Sequence, residues 1–302
     1  MQTWPVNGID LAVLAEGQGP LVVLAHGFPD LALTWRLQVP ALVAAGYRVV
    51  VPDMRGYGAS SRPEPVEAYR SDVLGNDLVG LLDHENVPRA HFVGHDWGAS
   101  SVWPLGLTHP DRVLSLTGVS VPYAPPAPAP PTEIFRRRLG EGFYMLRFHH
   151  DDVIPLLERD VAHTLALVLT GRLDDLGLGD LGPGDLGAGV AADPPSWLPR
   201  DVFEAYVAAF TRTGFGAALR YYRNLDANWR TATQQGTATI EAPSLFVTGS
   251  DDPVTRFMPA RDMAASFRAL ERHVVDGAGH WVHQEEPDHV NALLLAHLAR
   301  TS

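Results

Sequence analysis

The chain has no cysteine in its 302 residues. That excludes disulfides, thiolate catalysis and cysteine-ligated metals, and leaves the redox compartment undecided. Positive charge is also scarce: 23 Lys and Arg face 35 Asp and Glu, a formal net charge of −12. Nucleic acid and anionic membrane are not drawn to such a surface, so neither is expected as a main partner. No apolar run approaches the ~18 residues of a membrane span. The start, Met1-Gln2-Thr3-Trp4-Pro5, lacks the basic, apolar and small-residue succession of a signal peptide, so a cytoplasmic location is expected. What remains is an ordinary globular composition, with 46% hydrophobic and 19% charged residues. The length suits one large core, or one core carrying an inserted subdomain.

The first third alternates short apolar runs with helix-compatible segments. Two short strands flank Asn7-Gly8, a hairpin-type turn pair. Leu21-Val22-Val23-Leu24-Ala25 is apolar throughout, as befits a strand buried on both faces. Thr34 to Ala45 reads as a helix in which Pro40 is a candidate bend or break. Tyr47 to Val51 is the next strand, and residues 66 to 85 read as a helix, with Val73, Leu74, Leu78, Leu81 and Leu82 at helical spacing. A strand at Ala90 to Val93, a helix at Ala99 to Leu107 and a strand at Val113 to Val119 follow. This alternation predicts a parallel sheet with helices on both faces.

The pattern breaks at Pro122, where a proline-dense stretch runs to Pro131. The chain then reads helical to about Trp229, most clearly at Val161 to Leu169 and Asp201 to Arg212. Leu176 to Asp193, rich in Gly, Leu and Asp, reads as a loop too short to stack repeats, with spacing that fits no calcium loop. Strands return at Ser244 to Gly249 and His273 to Val275, and a helix runs from Pro287 to Arg300. The expected organisation is a core at 1–125 and 233–302 around a helical lid at 126–232.

One stretch carries chemistry: Gly94-His95-Asp96-Trp97-Gly98, between a strand and a helix. Glycines two before and two after the central residue permit a turn that throws it up at a helix N-terminus. The alternative reading is a helix-capping acid. Ser is absent from the centre, which argues against a serine esterase. A carboxylate there attacks carbon and leaves an alkyl ester on the protein. Downstream, Asp252 lies three residues after Gly249, just past a strand, with Asp251 read as solvated. His280 follows Gly277-Ala278-Gly279. The order nucleophile, acid, histidine is that of a hydrolytic triad, with His280 as base toward water and Asp252 orienting it. Of 13 histidines, His149, His150, His163, His283 and His289 read as surface or packing residues, and His26 as a turn residue.

With His26-Gly27-Phe28-Pro29 and Asp53-Met54-Arg55-Gly56-Tyr57-Gly58, these motifs resemble the epoxide hydrolase and haloalkane dehalogenase branch of the α/β-hydrolases across nearly the whole chain. The resemblance implies the α/β-hydrolase fold, a mostly parallel eight-stranded sheet with an inserted helical lid. It also implies an oxyanion hole from the backbone amides of Phe28 and Trp97, with a cis Phe28–Pro29 bond plausible. Phe28, Trp97 and Trp281 would line the substrate pocket. Both branches use an aspartate nucleophile, so the lid must separate them. Tyr221-Tyr222-Arg223-Asn224 is similar to the epoxide hydrolase run that carries a catalytic tyrosine, here Tyr222, with Tyr221 in packing. Tyr144-Met145-Leu146-Arg147-Phe148-His149 matches the second, Tyr144, with His149 where glutamine is usual. A tryptophan after the nucleophile binds halide in dehalogenases, but here it stands where fluoroacetate dehalogenases carry arginine, so a charged acid substrate is disfavoured. The resemblance thus implies cofactor-free and metal-free addition of water to a small apolar epoxide. A haloalkane dehalogenase and a non-catalytic hydrolase-fold receptor are the alternatives, and a homodimer is left open.

Overall fold

The computed structural model describes residues 1–176, 192–236 and 238–301. Most of the Gly-, Leu- and Asp-rich stretch read as a loop, residues 177–191, lies outside them. The described chain falls into two compact units. One comprises Met1–Ser61, Ser71–Pro125 and Gln235–Ser302, and the other comprises Arg62–Arg70 and Pro126–Gln234.

The first unit is built on one sheet of eight strands in the order β1-β2-β4-β3-β5-β6-β7-β8. The strands are β1 (Gln2–Val6), β2 (Ile9–Glu16), β3 (Leu21–Ala25), β4 (Arg48–Pro52), β5 (Ala90–His95), β6 (Val113–Val119), β7 (Ser244–Gly249) and β8 (Leu270–Val275). Only β2 runs against its neighbours; the pairings from β4 to β8 are all parallel. Every residue of β3, β5 and β7 is buried, which is why these strands read as apolar runs without alternation. Alternate residues serve opposite faces. Val22, Leu24, Val93, Val119 and Val247 pack in one cluster with Trp35, Val39 and Leu42, and with Val290, Leu294 and Leu298 of the terminal helix Pro287–Thr301. Their strand neighbours Val23, Phe92, Leu116 and Phe246 are equally buried but stand outside that cluster. This is the α/β-hydrolase fold.

Three expected helices are interrupted, each for a local reason. Thr34 to Ala45 is a 3₁₀ turn, Ala32–Trp35, and then α1, Val39–Ala44. Pro40 occupies the first turn of α1, where its missing N–H costs nothing. Residues 66 to 85 split at Arg70, whose extended backbone separates a 3₁₀ turn, Val66–Tyr69, from α2, Ser71–Glu85. The helix after the elbow is α3, Trp97–Val102; the chain then turns at Trp103-Pro104 before a short segment Leu105–Thr108. Proline cannot donate the next helical bond.

A buried ion pair anchors α2 from inside the first unit. Arg55 Nε and Nη2 donate to Asp77 Oδ2 and Oδ1 at 2.8 and 2.7 Å, and Asn7 donates to Asp77 Oδ1 at 2.8 Å. Burial still raises the Asp77 carboxyl above its ordinary range, only partly offset by Arg55 and Asn7.

The second unit is helical. It includes Tyr144–Arg147, Val161–Leu169, Arg200–Thr213 and Gly216–Arg223. Leu165, Leu167, Tyr206, Phe210, Phe215 and Tyr221 are fully buried within it. Tyr221 packs 5.7 Å from the ring of Tyr69, in keeping with its reading as a packing residue. Asp226 ties the start of the helix Pro131–Leu139 by accepting from the Thr132 amide and hydroxyl at 3.1 and 2.7 Å.

Candidate active site

Asp96 sits at the junction of β5 and α3 with φ 53° and ψ −119°. A non-glycine residue holds this strained conformation only when its surroundings over-determine it. Here the two elbow glycines do so. A Cβ on Gly94 would lie 2.3 Å from the Gly98 carbonyl oxygen, and one on Gly98 would lie 2.1 Å from that of Ala25. No side chain fits at either place, so β5, α3 and β3 close to backbone distance. The Asp96 carbonyl accepts the first helical bond, from the Ser100 amide at 3.1 Å.

The carboxylate of Asp96 is held at both ends. Oδ1 accepts from the Phe28 amide at 2.7 Å. Oδ2 lies 3.7 Å from His280 Nε2. Phe28 is placed by the loop after β3, where the Phe28–Pro29 peptide is cis and the Asp30 amide donates back to the Gly27 carbonyl at 3.0 Å. His26 is satisfied structurally: its Nε2 accepts from the Met54 amide at 2.9 Å.

His280 faces Asp252 with its other nitrogen. Nδ1 lies 3.0 and 3.1 Å from the two Asp252 oxygens. Asp252 is fully buried, caps the following 3₁₀ turn through the Val254 amide at 2.9 Å, and accepts from Thr248 Oγ1 at 3.4 Å. Capping and triad roles are therefore compatible, while Asp251 is exposed. Burial opposes a charge on His280, but the pull of Asp252 and then Asp96 overrides it and pushes its pKa to about 10. Burial likewise works to raise the Asp252 carboxyl, yet the neighbouring His280 holds it below the usual range. His280 thus faces a carboxyl group with each of its ring nitrogens.

Several supporting residues escaped the sequence reading because their contacts are non-local. The His280 carbonyl accepts from Ser120 Oγ at 2.5 Å and lies 3.0 Å from His95 Nε2. Glu285 accepts from the amides of Gly279 and Trp281 at 2.7 and 3.0 Å, which pins the loop on both sides of His280. The nearest sequence signal was an acid four residues after Trp281, where it can reach back to amides at a helix start. His283, read as a packing residue, is fully buried and bonds Thr34 Oγ1 at 2.9 Å. Gly27 matters by having no side chain: a Cβ there would be 2.2 Å from Asp96 Oδ1.

The structure thus brings Phe28, Asp96, Asp252 and His280 together. Trp97 and Trp281 are buried, and the Trp281 ring stands 4.9 Å from that of His280 with its Nε1 donating to Asp30 Oδ2 at 3.1 Å. In the second unit, Tyr144 and Tyr222 face one another with ring centroids 6.1 Å apart. Among the described residues no group of three or more His, Asp or Glu side chains could hold a metal ion, and no helix is long and apolar enough to cross a membrane.

A strained elbow aspartate beside a His–Asp pair, on this sheet, defines a class. A family model described as alpha/beta hydrolase fold matches residues 20–287, and the chain belongs to that family. Within it the chain falls among the epoxide hydrolases. It is 44% identical to Epoxide hydrolase A of Mycobacterium tuberculosis, over 97% of this chain and 95% of that protein. It is 34% identical to Bifunctional epoxide hydrolase 2 of Rattus norvegicus over 95% of this chain, but spans only 53% of that relative's length. The crystal structure of Epoxide Hydrolase A from Mycobacterium thermoresistibile superposes with a TM-score of 0.92 at 43% identity, covering 99% of this chain and 97% of that one.

Proposed function

We propose that this protein adds water to a small apolar epoxide and releases a vicinal diol, through an alkyl ester on Asp96. The observation that carries the proposal is the two-ended hold on the Asp96 carboxylate. Oδ1 rests on the Phe28 amide at 2.7 Å. Oδ2, 3.7 Å from His280 Nε2, is the oxygen that attacks a ring carbon in this reading. The ring carbon–oxygen bond breaks, and its electron pair stays on the departing oxygen, which takes a proton from a phenol. Tyr144 and Tyr222 are the proposed donors, carried by the helical unit, which we read as the lid at residues 126–232. Phenols suit this task because they donate at neutral pH while remaining mostly protonated.

The second step uses water. Esterification removes the charge of Asp96 and with it one of the two carboxylates that hold the proton on His280. His280 then gives up its proton, which through solvent replaces the one the phenol lost, and serves as the base that takes a proton from water and hands it to the departing diol oxygen, oriented by Asp252. Water attacks Cγ of the ester, and Oδ1 becomes the oxyanion on the amides of Phe28 and Trp97. Each such donor is worth about 3 kcal/mol. Collapse expels the diol, protonated at its new hydroxyl, and regenerates the carboxylate. Phe28, Trp97 and Trp281 serve as pocket walls in this reading, and no cofactor enters any step.

Turnover on a panel of styrene-type, aliphatic and fatty epoxides beside bromoalkanes tests the proposal. Diol formation without halide release is expected, with ring opening lost in the Tyr144→Phe/Tyr222→Phe double variant. Halide release without epoxide turnover would identify a dehalogenase, and tight binding without turnover a receptor.

A further inference from the structure

His280 follows β8 in the chain, yet it is tied back across the sheet. Its ring is held by Asp252, which lies just past β7. Its carbonyl is held from the two strands beyond. Ser120, the residue after β6, donates from Oγ at 2.5 Å, and His95, the last residue of β5, places Nε2 3.0 Å away. Facing an acceptor, that nitrogen carries its hydrogen there. Both holders are fully buried. Nε2 of His280 has no such hold, because its 3.7 Å distance to Asp96 Oδ2 is too long for a hydrogen bond. The aim of the ring therefore comes from Nδ1 and from the backbone behind it.

Ser120 adopts an unusual backbone to make its contact. Its φ is +68°, in the left-handed region that residues with a Cβ rarely enter. The Val121 amide donates to the Val119 carbonyl at 2.8 Å and closes a three-residue turn around it. With a positive φ at its centre, this is the rare and strained form of the γ-turn. Neighbours hold the turn on both sides. The Ser120 amide donates to the Val247 carbonyl at 2.8 Å, at the end of the β6–β7 ladder, and Trp103 Nε1 donates to the Val121 carbonyl at 3.0 Å. Glycine would take this turn without strain, but it has no hydroxyl to offer the His280 carbonyl. We propose that Ser120 is a positioning residue, kept in a strained turn so that its hydroxyl fixes the His280 carbonyl and with it the aim of the imidazole at the Asp96 ester. The inference rests on the ester reading above.

Glycine and alanine at position 120 separate this role from a structural one. Both remove the hydroxyl, but only alanine keeps a Cβ at positive φ. In single-turnover kinetics with styrene oxide, breakdown of the alkyl-enzyme should fall roughly tenfold in Ser120→Gly and Ser120→Ala alike, the worth of one neutral hydrogen bond. Alkylation, which does not use His280 as base, should stay within about twofold. In urea, Ser120→Gly should unfold at a higher midpoint than Ser120→Ala. Normal breakdown in both variants, or an equal fall in both steps, would overturn the proposal. So would breakdown that follows stability, slow with alanine and normal with glycine, which is the mark of a merely structural residue. If the alanine variant does not fold, the split between the two rates of Ser120→Gly decides alone. His280→Gln supplies the separate control. Absence of an ester there would remove the ester reading and the positioning role with it. An ester that accumulates there, with normal breakdown in both Ser120 variants, would remove the positioning role only.

Discussion

Replacing Gly27 with alanine should slow ring opening by about two orders of magnitude while leaving the fold intact. The added Cβ would stand 2.2 Å from Asp96 Oδ1, 2.4 Å from its Cβ and 2.7 Å from its Cγ. Non-bonded heavy atoms settle at roughly 3.5 to 4 Å, so the carboxylate must retreat by more than about 1 Å. The backbone of Asp96 cannot supply that movement, because Gly94 and Gly98 already lie at closest approach. Rotation of the side chain moves its carboxylate but not its Cβ, so the loop at residue 27 must shift as well, and the 2.7 Å bond from the Phe28 amide is given up. A hydrogen bond to a charged group is worth about 1.5 to 3 kcal/mol, and a misplacement of about 1 Å at a reacting group costs on the order of a hundredfold. Gly27 is not among the residues with positive φ, so backbone strain plays no part. The assay is the single-turnover rate of alkyl-enzyme formation, with urea unfolding as the check on folding. A folded Gly27→Ala variant alkylating within about threefold of wild type would refute the placement of Asp96.

Three further outcomes follow from the same contacts. Asp252→Asn should slow breakdown of the alkyl-enzyme by roughly a thousandfold or more, since His280 loses the partner that fixes its tautomer, so ester should accumulate in the steady state. Asp77→Ala should cost about 3 to 5 kcal/mol in urea unfolding, because it strands the buried Arg55, whereas a joint Asp77→Leu/Arg55→Met change should cost less than the single one. His91, fully buried with Nδ1 2.8 Å from Ser115 Oγ, has its pKa lowered from 6.5 to about 4, chiefly by burial and then by His297 and Arg89. The unfolded chain takes up that proton first, so this contribution is present above pH 6.5 and is lost as the pH falls toward 4. The gap corresponds to about 3 kcal/mol, and unfolding at about pH 7 and pH 4.5 should show a smaller acid loss in His91→Gln.

Much of this was legible in the sequence where the signal is local. The buried strands announced themselves because a parallel strand covered on both faces has no polar alternation, as at Leu21–Ala25 and Ser244–Gly249. Gly94, Asp96 and Gly98 declared a turn because their spacing has few other uses. Asp252 and His280 stood out by following strand ends, and in the structure they meet each other and face Asp96. The helix breaks at Arg70 and Pro104 were missed. Hydrophobic spacing ran on through both points, and it does not register an extended residue or a missing donor. Ser120, His95 and Glu285, which grip the loop of His280, were hidden because they matter only by what the fold carries to them. Trp281 was read as a pocket wall, and nothing in the sequence announced the buried bond from its indole nitrogen to Asp30.

The proposed reaction turns on a covalent ester on Asp96 that His280 is needed to release. Intact-mass spectrometry of His280→Gln after brief exposure to an epoxide tests it directly. An adduct equal to the mass of the epoxide is expected, located on the peptide containing Asp96 and absent in the Asp96→Asn/His280→Gln double variant. A His280→Gln protein that stays unmodified while releasing diol at the wild-type rate would contradict it.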